Sequence, residues 1–135
     1  MKIFSQLLTI LIVIFFPLSC ENMESIFVDC NSCYNDKPLE TIISISITNN
    51  EENRTVPITV YQGSIDDGEI IFEDINLTIF NVEVGKYYSV VAKYNKDGKT
   101  IYAVDGKKVR TKLDESSCSD PCYIIIGDKF DVRLK

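Results

Sequence analysis

The chain has 135 residues, 45% of them hydrophobic and 25% charged, with 14 basic against 20 acidic side chains, five cysteines, and neither histidine nor tryptophan. That length suits one domain, its ordinary apolar content excludes a disordered acidic tail, and a net charge of -6 argues against nucleic acid, which needs clustered Lys and Arg. Without histidine there is no Ser-His-Asp or Cys-His arrangement and no histidine metal site, so the expectation is a protein that is not an enzyme and needs no cofactor.

The first residues read as an address. Lys2 is a short positive start, an apolar run extends from Leu7 to Phe16, and the small Ser19 precedes Cys20. This is the form of a secretory signal. A run of about ten residues rises about 15 Å as a helix, half of a hydrocarbon core, so a permanent transmembrane helix is the weaker reading. Leu18-Ser19-Cys20 resembles the lipobox of bacterial lipoproteins, with Pro17 where Leu is usual, the looser form found in some Gram-negative phyla. The resemblance implies cleavage before Cys20, acylation of its thiol, and a cell-envelope protein held by lipid, in the outer membrane and on its periplasmic or surface face. Of the five cysteines, Cys20 as acyl acceptor leaves an even remainder of Cys30, Cys33, Cys118 and Cys122. Two or three acyl chains suffice for stable attachment. Losing residues 1–19 removes only Lys2 among charged residues, so the mature chain is more acidic still and is held by lipid, not by surface charge.

Residues 20–38 form a polar tether and cysteine loop. Glu21 and Glu24 directly behind the anchor resemble a surface-export signal, and a flexible spacer has the same composition.

Residues 39–135 form the domain. Ile43, Ile45 and Ile47 alternate with Ser44, Ser46 and Thr48, the period of a half-buried strand. Val56, Ile58 and Val60 alternate next, and Pro57, which cannot donate a ladder hydrogen bond, predicts an edge strand. Gly63 and Asp66-Asp67-Gly68 turn the chain, and two strands follow between Glu69 and Gly85. Tyr88, Val90, Ala92 and Tyr94 share one face, with a turn at Asn95-Lys96-Asp97-Gly98 and a further strand through Ile101 and Ala103. Asp105-Gly106 is the strongest short hairpin signal and predicts a third consecutive antiparallel strand through Val109 and Thr111. A final hairpin is expected around Gly127-Asp128, between Tyr123–Ile126 and Phe130, Val132 and Leu134, with the chain stopping inside its second strand.

About seven or eight short strands at this spacing predict an all-β domain, an antiparallel β-sandwich. Residues Tyr87 to Val104, with the pattern Y-x-V-x-A-x-Y, a turn and a second strand, resemble the late hairpin of immunoglobulin-like, fibronectin type III and transthyretin-like domains. The resemblance implies a transthyretin-like or fibronectin-like sandwich and no activity.

Cys30-x-x-Cys33 and Cys118-x-x-x-Cys122 admit three readings. A disulfide framework fits the secreted address, with long-range pairing such as Cys30 with Cys122 and Cys33 with Cys118 stapling the tether loop to the last hairpin. A four-thiolate zinc site tolerates the spacing. A redox motif at Cys30–Cys33 lacks the strand-to-helix context that activates the first thiol. The acidic turns fail the EF-hand spacing, leaving Asp66, Asp67 and Glu69 as a casual calcium site or, more simply, solvated turn residues. The pairs Asp67 with Glu69 and Glu73 with Asp74 have the residue types of a glycosidase but nothing that sets their separation. Asn53-Arg54-Thr55 and Asn76-Leu77-Thr78 match the eukaryotic glycosylation sequon. Tyr87 and Tyr102 alternate away from the expected core, as an aromatic patch for a protein or glycan or as ordinary sheet tyrosines with wet hydroxyls. The expected function is therefore that of an envelope lipoprotein acting as a binding or assembly module, with the membrane and another envelope protein or a glycan as partners and no nucleic acid. The alternatives are a structural subunit of a fimbria-like assembly and a four-cysteine metal or redox protein.

Overall fold

The computed structural model describes residues 28–135. The expected leader, Cys20, Glu21 and Glu24 lie outside the described residues. A 3-10 turn, Cys30–Ser32, precedes nine strands: β1 (Glu40–Ser46), β2 (Pro57–Gln62), β3 (Glu69–Ile75), β4 (Ile79–Glu83), β5 (Tyr87–Lys96), β6 (Lys99–Lys108), β7 (Arg110–Asp114), β8 (Cys122–Ile126) and β9 (Lys129–Asp131). They form a three-stranded sheet ordered β4-β1-β9, a four-stranded sheet ordered β3-β2-β5-β6, and a two-stranded sheet β7-β8. The domain is all-β, as the short alternating segments predict.

The alternation places the core. Ile43 and Ile45 of β1 are buried while Ile42, Ser44 and Ser46 face outward. With Val82 and Phe130 they pack against Ile58, Val60, Tyr88, Val90, Ala92 and Tyr94 of the larger sheet. Each such large apolar side chain stabilises the fold by about 1.5–3 kcal/mol once fully buried. The order β3-β2-β5-β6 matches the C′-C-F-G order of immunoglobulin-type sandwiches, with β1 and β4 paired antiparallel in the places of B and E. A second mark of that architecture is a corner tyrosine. The buried Tyr88 near the start of β5 donates its hydroxyl to the Glu83 carbonyl, 3.0 Å away and five residues upstream. Tyr88→Phe is expected to lower stability by about 1 kcal/mol, read as a lower urea midpoint at unchanged slope. An unshifted midpoint would remove this bond from the account.

Three expectations are corrected. Pro57 does not mark an edge strand: it is the first residue of β2, which lies between β3 and β5, and its missing N–H costs the ladder nothing at that end. Asp105-Gly106 is not a hairpin turn but lies inside β6, opposite Val90 and Ser89. Neither residue has positive φ, unlike Asp97 (φ 53°) and Gly98 (φ 73°), which make the β5–β6 turn. Glycine at 106 leaves room for a side chain instead: a Cβ there would stand 2.6 Å from the Tyr87 hydroxyl, which crosses it from β5 and would have to move aside. The last two strands form no hairpin, because β8 pairs with β7 and β9 pairs parallel to β1. Among the described strands this short β9–β1 pairing is the one parallel pairing in an otherwise antiparallel sandwich.

The end of the chain is also tied in. The N–H of Asp131 donates to Asp105 at 2.8 Å and Lys107 donates to the Lys129 carbonyl at 2.6 Å, so side chains of β6 occupy the outer edge of β9. They close the outward edge of β9. Beyond it, the buried Tyr94 hydroxyl donates to the Val132 carbonyl at 2.7 Å and accepts from the Thr48 N–H at 3.0 Å.

Candidate functional site

The cysteine cluster forms where the tether loop meets β8. Asp29 caps the 3-10 turn by accepting from Asn31 N–H and the Ser32 hydroxyl, both at 3.0 Å, and these bonds hold its carboxyl below the usual range. Asp114 does the same for the facing loop, accepting from Ser116 and Ser117 N–H groups, and is likewise lowered. Tyr34 and Tyr123 exchange two backbone hydrogen bonds of 3.0 and 2.7 Å. That bridge sets Cys33 beside Cys122, and the structure forms the disulfides Cys33–Cys122 and Cys30–Cys118, with Cα separations of 5.6 and 5.7 Å, ordinary for the bond. The disulfide framework is thus present, but with the other long-range pairing from the one given as its example. Cys33 and Cys122 each directly precede a tyrosine of the Tyr34–Tyr123 bridge and pair beside it, which leaves Cys30 to pair with Cys118.

The acidic candidates do not converge. Asp67 accepts from the Ser64 hydroxyl inside its own turn, and Asp74 accepts from the N–H of Ile75 at 2.7 Å. Glu73 accepts from the Thr59 hydroxyl across the sheet at 3.2 Å. Among the described residues the one group able to hold a metal is Cys33, Cys118 and Cys122, so Asp66, Asp67 and Glu69 do not form a three-ligand set. Both sequon asparagines are spent on the backbone. The Asn53 amide is 4% exposed, donates to the Asn95 carbonyl and accepts its N–H. The Asn76 amide donates to the Arg54 carbonyl and accepts from the Val56 N–H, both at 2.9 Å. Each amide acts as an extra peptide group pinning a loop, a role no sequence pattern announced.

Tyr87 and Tyr102 do point away from the core, at 44% and 61% exposed. They lie on the outer face of the four-stranded sheet, where Val104 and Ile75 are also exposed. The most exposed apolar segment, however, is β3. None of its seven residues is buried, and it carries Ile70, Ile71, Phe72 and Ile75 at 36–56% exposed. Only Phe72 has an aromatic neighbour, stacking on Phe80 at 4.7 Å. β3 ends its sheet, so its outward backbone edge has no strand beside it among the described residues. Sequence reading found β3 as a strand and missed its position, which depends on sheet order.

A groove of about 590 Å³ runs between the cysteine loop, β1 and β8 and is lined in part by Asp29, Tyr34, Ile42 and Lys129. It is open, and its titratable lining residues are Asp29, Tyr34, Asp128 and Lys129. No described helix is long and apolar enough to cross a membrane. No protein family, curated protein or solved structure matches the chain.

Proposed function

We propose that the protein is an envelope lipoprotein, anchored through acylated Cys20, whose disulfide-bonded sandwich works as a non-catalytic binding or assembly module. The observation that carries the binding role is β3. It is a full-length strand with four exposed apolar side chains and an unpaired edge, and natural proteins cover or blunt such edges unless something pairs with them. An extended segment laid along it would gain main-chain hydrogen bonds for affinity and side-chain neighbours for specificity. The anchoring role rests on the lipobox resemblance and on cysteine use, since the two bridges consume Cys30, Cys33, Cys118 and Cys122 and leave Cys20 as the fifth.

Intact mass of the full chain extracted from membranes tests the anchor. The expected product begins at Cys20 and carries the mass of its acyl groups, and Cys20→Ala is expected to lose that mass and accumulate the uncleaved precursor. An unmodified Cys20 in the wild-type chain would sink the reading.

One observation supports a second reading. The sulfurs of Cys33, Cys118 and Cys122 lie within 4.8 Å of one another, close enough for one tetrahedral ion to reach all three once the bridges are reduced. A reduced chain would present these thiolates to zinc. Thiols that alkylate in the native protein without reductant, together with bound zinc, would favour this reading over the first.

A further inference from the structure

The edge of β3 has a charge as well as a shape. Asp66, Asp67, Glu69, Glu73 and Asp74 lie on it or in the turn leading into it, and no Lys or Arg occurs from Thr55 to Gly85. Two copies of β3 laid side by side would bring carboxylates together with no base to offset them, and like charges facing across strands are destabilising. The charges on this edge therefore favour a basic occupant.

The same chain carries such an edge. From Lys107 to Leu113 every charged residue is basic, and Lys108, Arg110 and Lys112 are exposed. They flank or belong to β7, which ends the two-stranded sheet and, like β3, has no strand on its outward side among the described residues. An open groove of about 310 Å³ runs beside it, lined by Lys37, Pro38, Lys108, Arg110 and Thr111. Leu113, 42% exposed, offers an apolar side chain to set against those of β3.

We infer that the partner of β3 is β7 of a second copy of this chain, the acidic edge of one molecule pairing with the basic edge of the next. This rests on the reading of the chain as a binding or assembly module and names its partner. The two surfaces differ, so the contact is heterologous: each pair leaves one acidic and one basic edge free, and copies add head to tail instead of closing as a two-fold dimer. Opposite charges select the orientation and exclude acidic edges from each other. Added salt weakens the contact.

The test places a photo-crosslinking phenylalanine analogue at Ile70 in the full chain, on intact membranes, and reads the products by gel and peptide mapping. The expected result is a ladder at multiples of the chain mass, with the crosslink falling in residues 108–114 of another copy. Glu73→Lys with Asp74→Lys, or Arg110→Glu with Lys112→Glu, is expected to reduce the ladder by about tenfold or more. These positions are exposed, so folding is retained. Co-expressing the two reversed chains restores the ladder, since each reversed edge then meets its complement. A crosslink to a different protein alone overturns the second copy as partner while leaving the module reading standing. No crosslink from β3 to any chain, with charge reversal changing nothing, removes the inference and the module reading together.

Discussion

Removing one bridge, by Cys33→Ser with Cys122→Ser, is expected to cost about 2–5 kcal/mol of stability, the range for a native disulfide in a small secreted domain. The two bridges close loops with sequence separations of 88 and 89, so either alone constrains the unfolded chain almost as well as both. In the chain-entropy account the first bridge contributes about 4 kcal/mol and the second much less. The double-serine variant is thus expected near the lower end of the range, and removal of both bridges is expected to exceed twice that loss. Urea unfolding of the wild type, each pair variant and the four-serine chain measures this directly. Equal, additive losses for the two bridges would show that local geometry, not loop closure, dominates. Because Asp29 and Asp114 cap the two loops as carboxylates held below their usual range, the stability they add is present above the unfolded value near 3.8 and is lost as pH falls through the lower folded value. Acid should therefore loosen this end, and only below the carboxylate range.

Tyr94→Phe is expected to cost about 2–4 kcal/mol. Its ring stays, so the core keeps its volume, but two main-chain groups lose their partner: the Val132 carbonyl, which now accepts the hydroxyl, and the Thr48 N–H, which now donates to it. Leaving buried polar groups unsatisfied costs about 1–3 kcal/mol each. The loss should concentrate at the end of β1 and in residues 132–134, because Leu134 N–H also donates to the Thr48 hydroxyl at 2.9 Å. Hydrogen exchange resolves this. Faster exchange at Thr48 and Leu134, with β5 protection kept, is the expected pattern, whereas uniform loss across the sandwich would mean that Tyr94 supports the whole core and not this junction.

What the sequence made legible was local. Ile43 and Ile45 in β1 and the Tyr88–Tyr94 face of β5 announce strands because side-chain alternation is a property of neighbouring residues, and Asp97-Gly98 announces a turn because both need positive φ. What stayed hidden was long-range. Pro57 begins an interior strand, Asp105-Gly106 passes straight through β6, and β9 crosses to lie parallel to β1, each decided by partners far along the chain. The cysteines were readable as a framework, but their pairing, Cys30 with Cys118 and Cys33 with Cys122, is set in three dimensions and no spacing reveals it. The β3 and β7 edges were missed for want of sheet order. Their signal was nevertheless present: acidic residues without a base from Thr55 to Gly85, then bases without an acid from Lys107 to Leu113.

The bridges also decide how the molecule responds to being pulled. A tug arriving along the chain from Cys20 reaches Cys30 and Cys33 before it reaches any strand, and there it divides. One path continues into β1; the other crosses sulfur to β8 and runs back through the sheets. A grip on β3 would then be resisted from both directions at once, with tension shared between two covalent routes and the strands between them loaded in shear instead of being unzipped singly from one end.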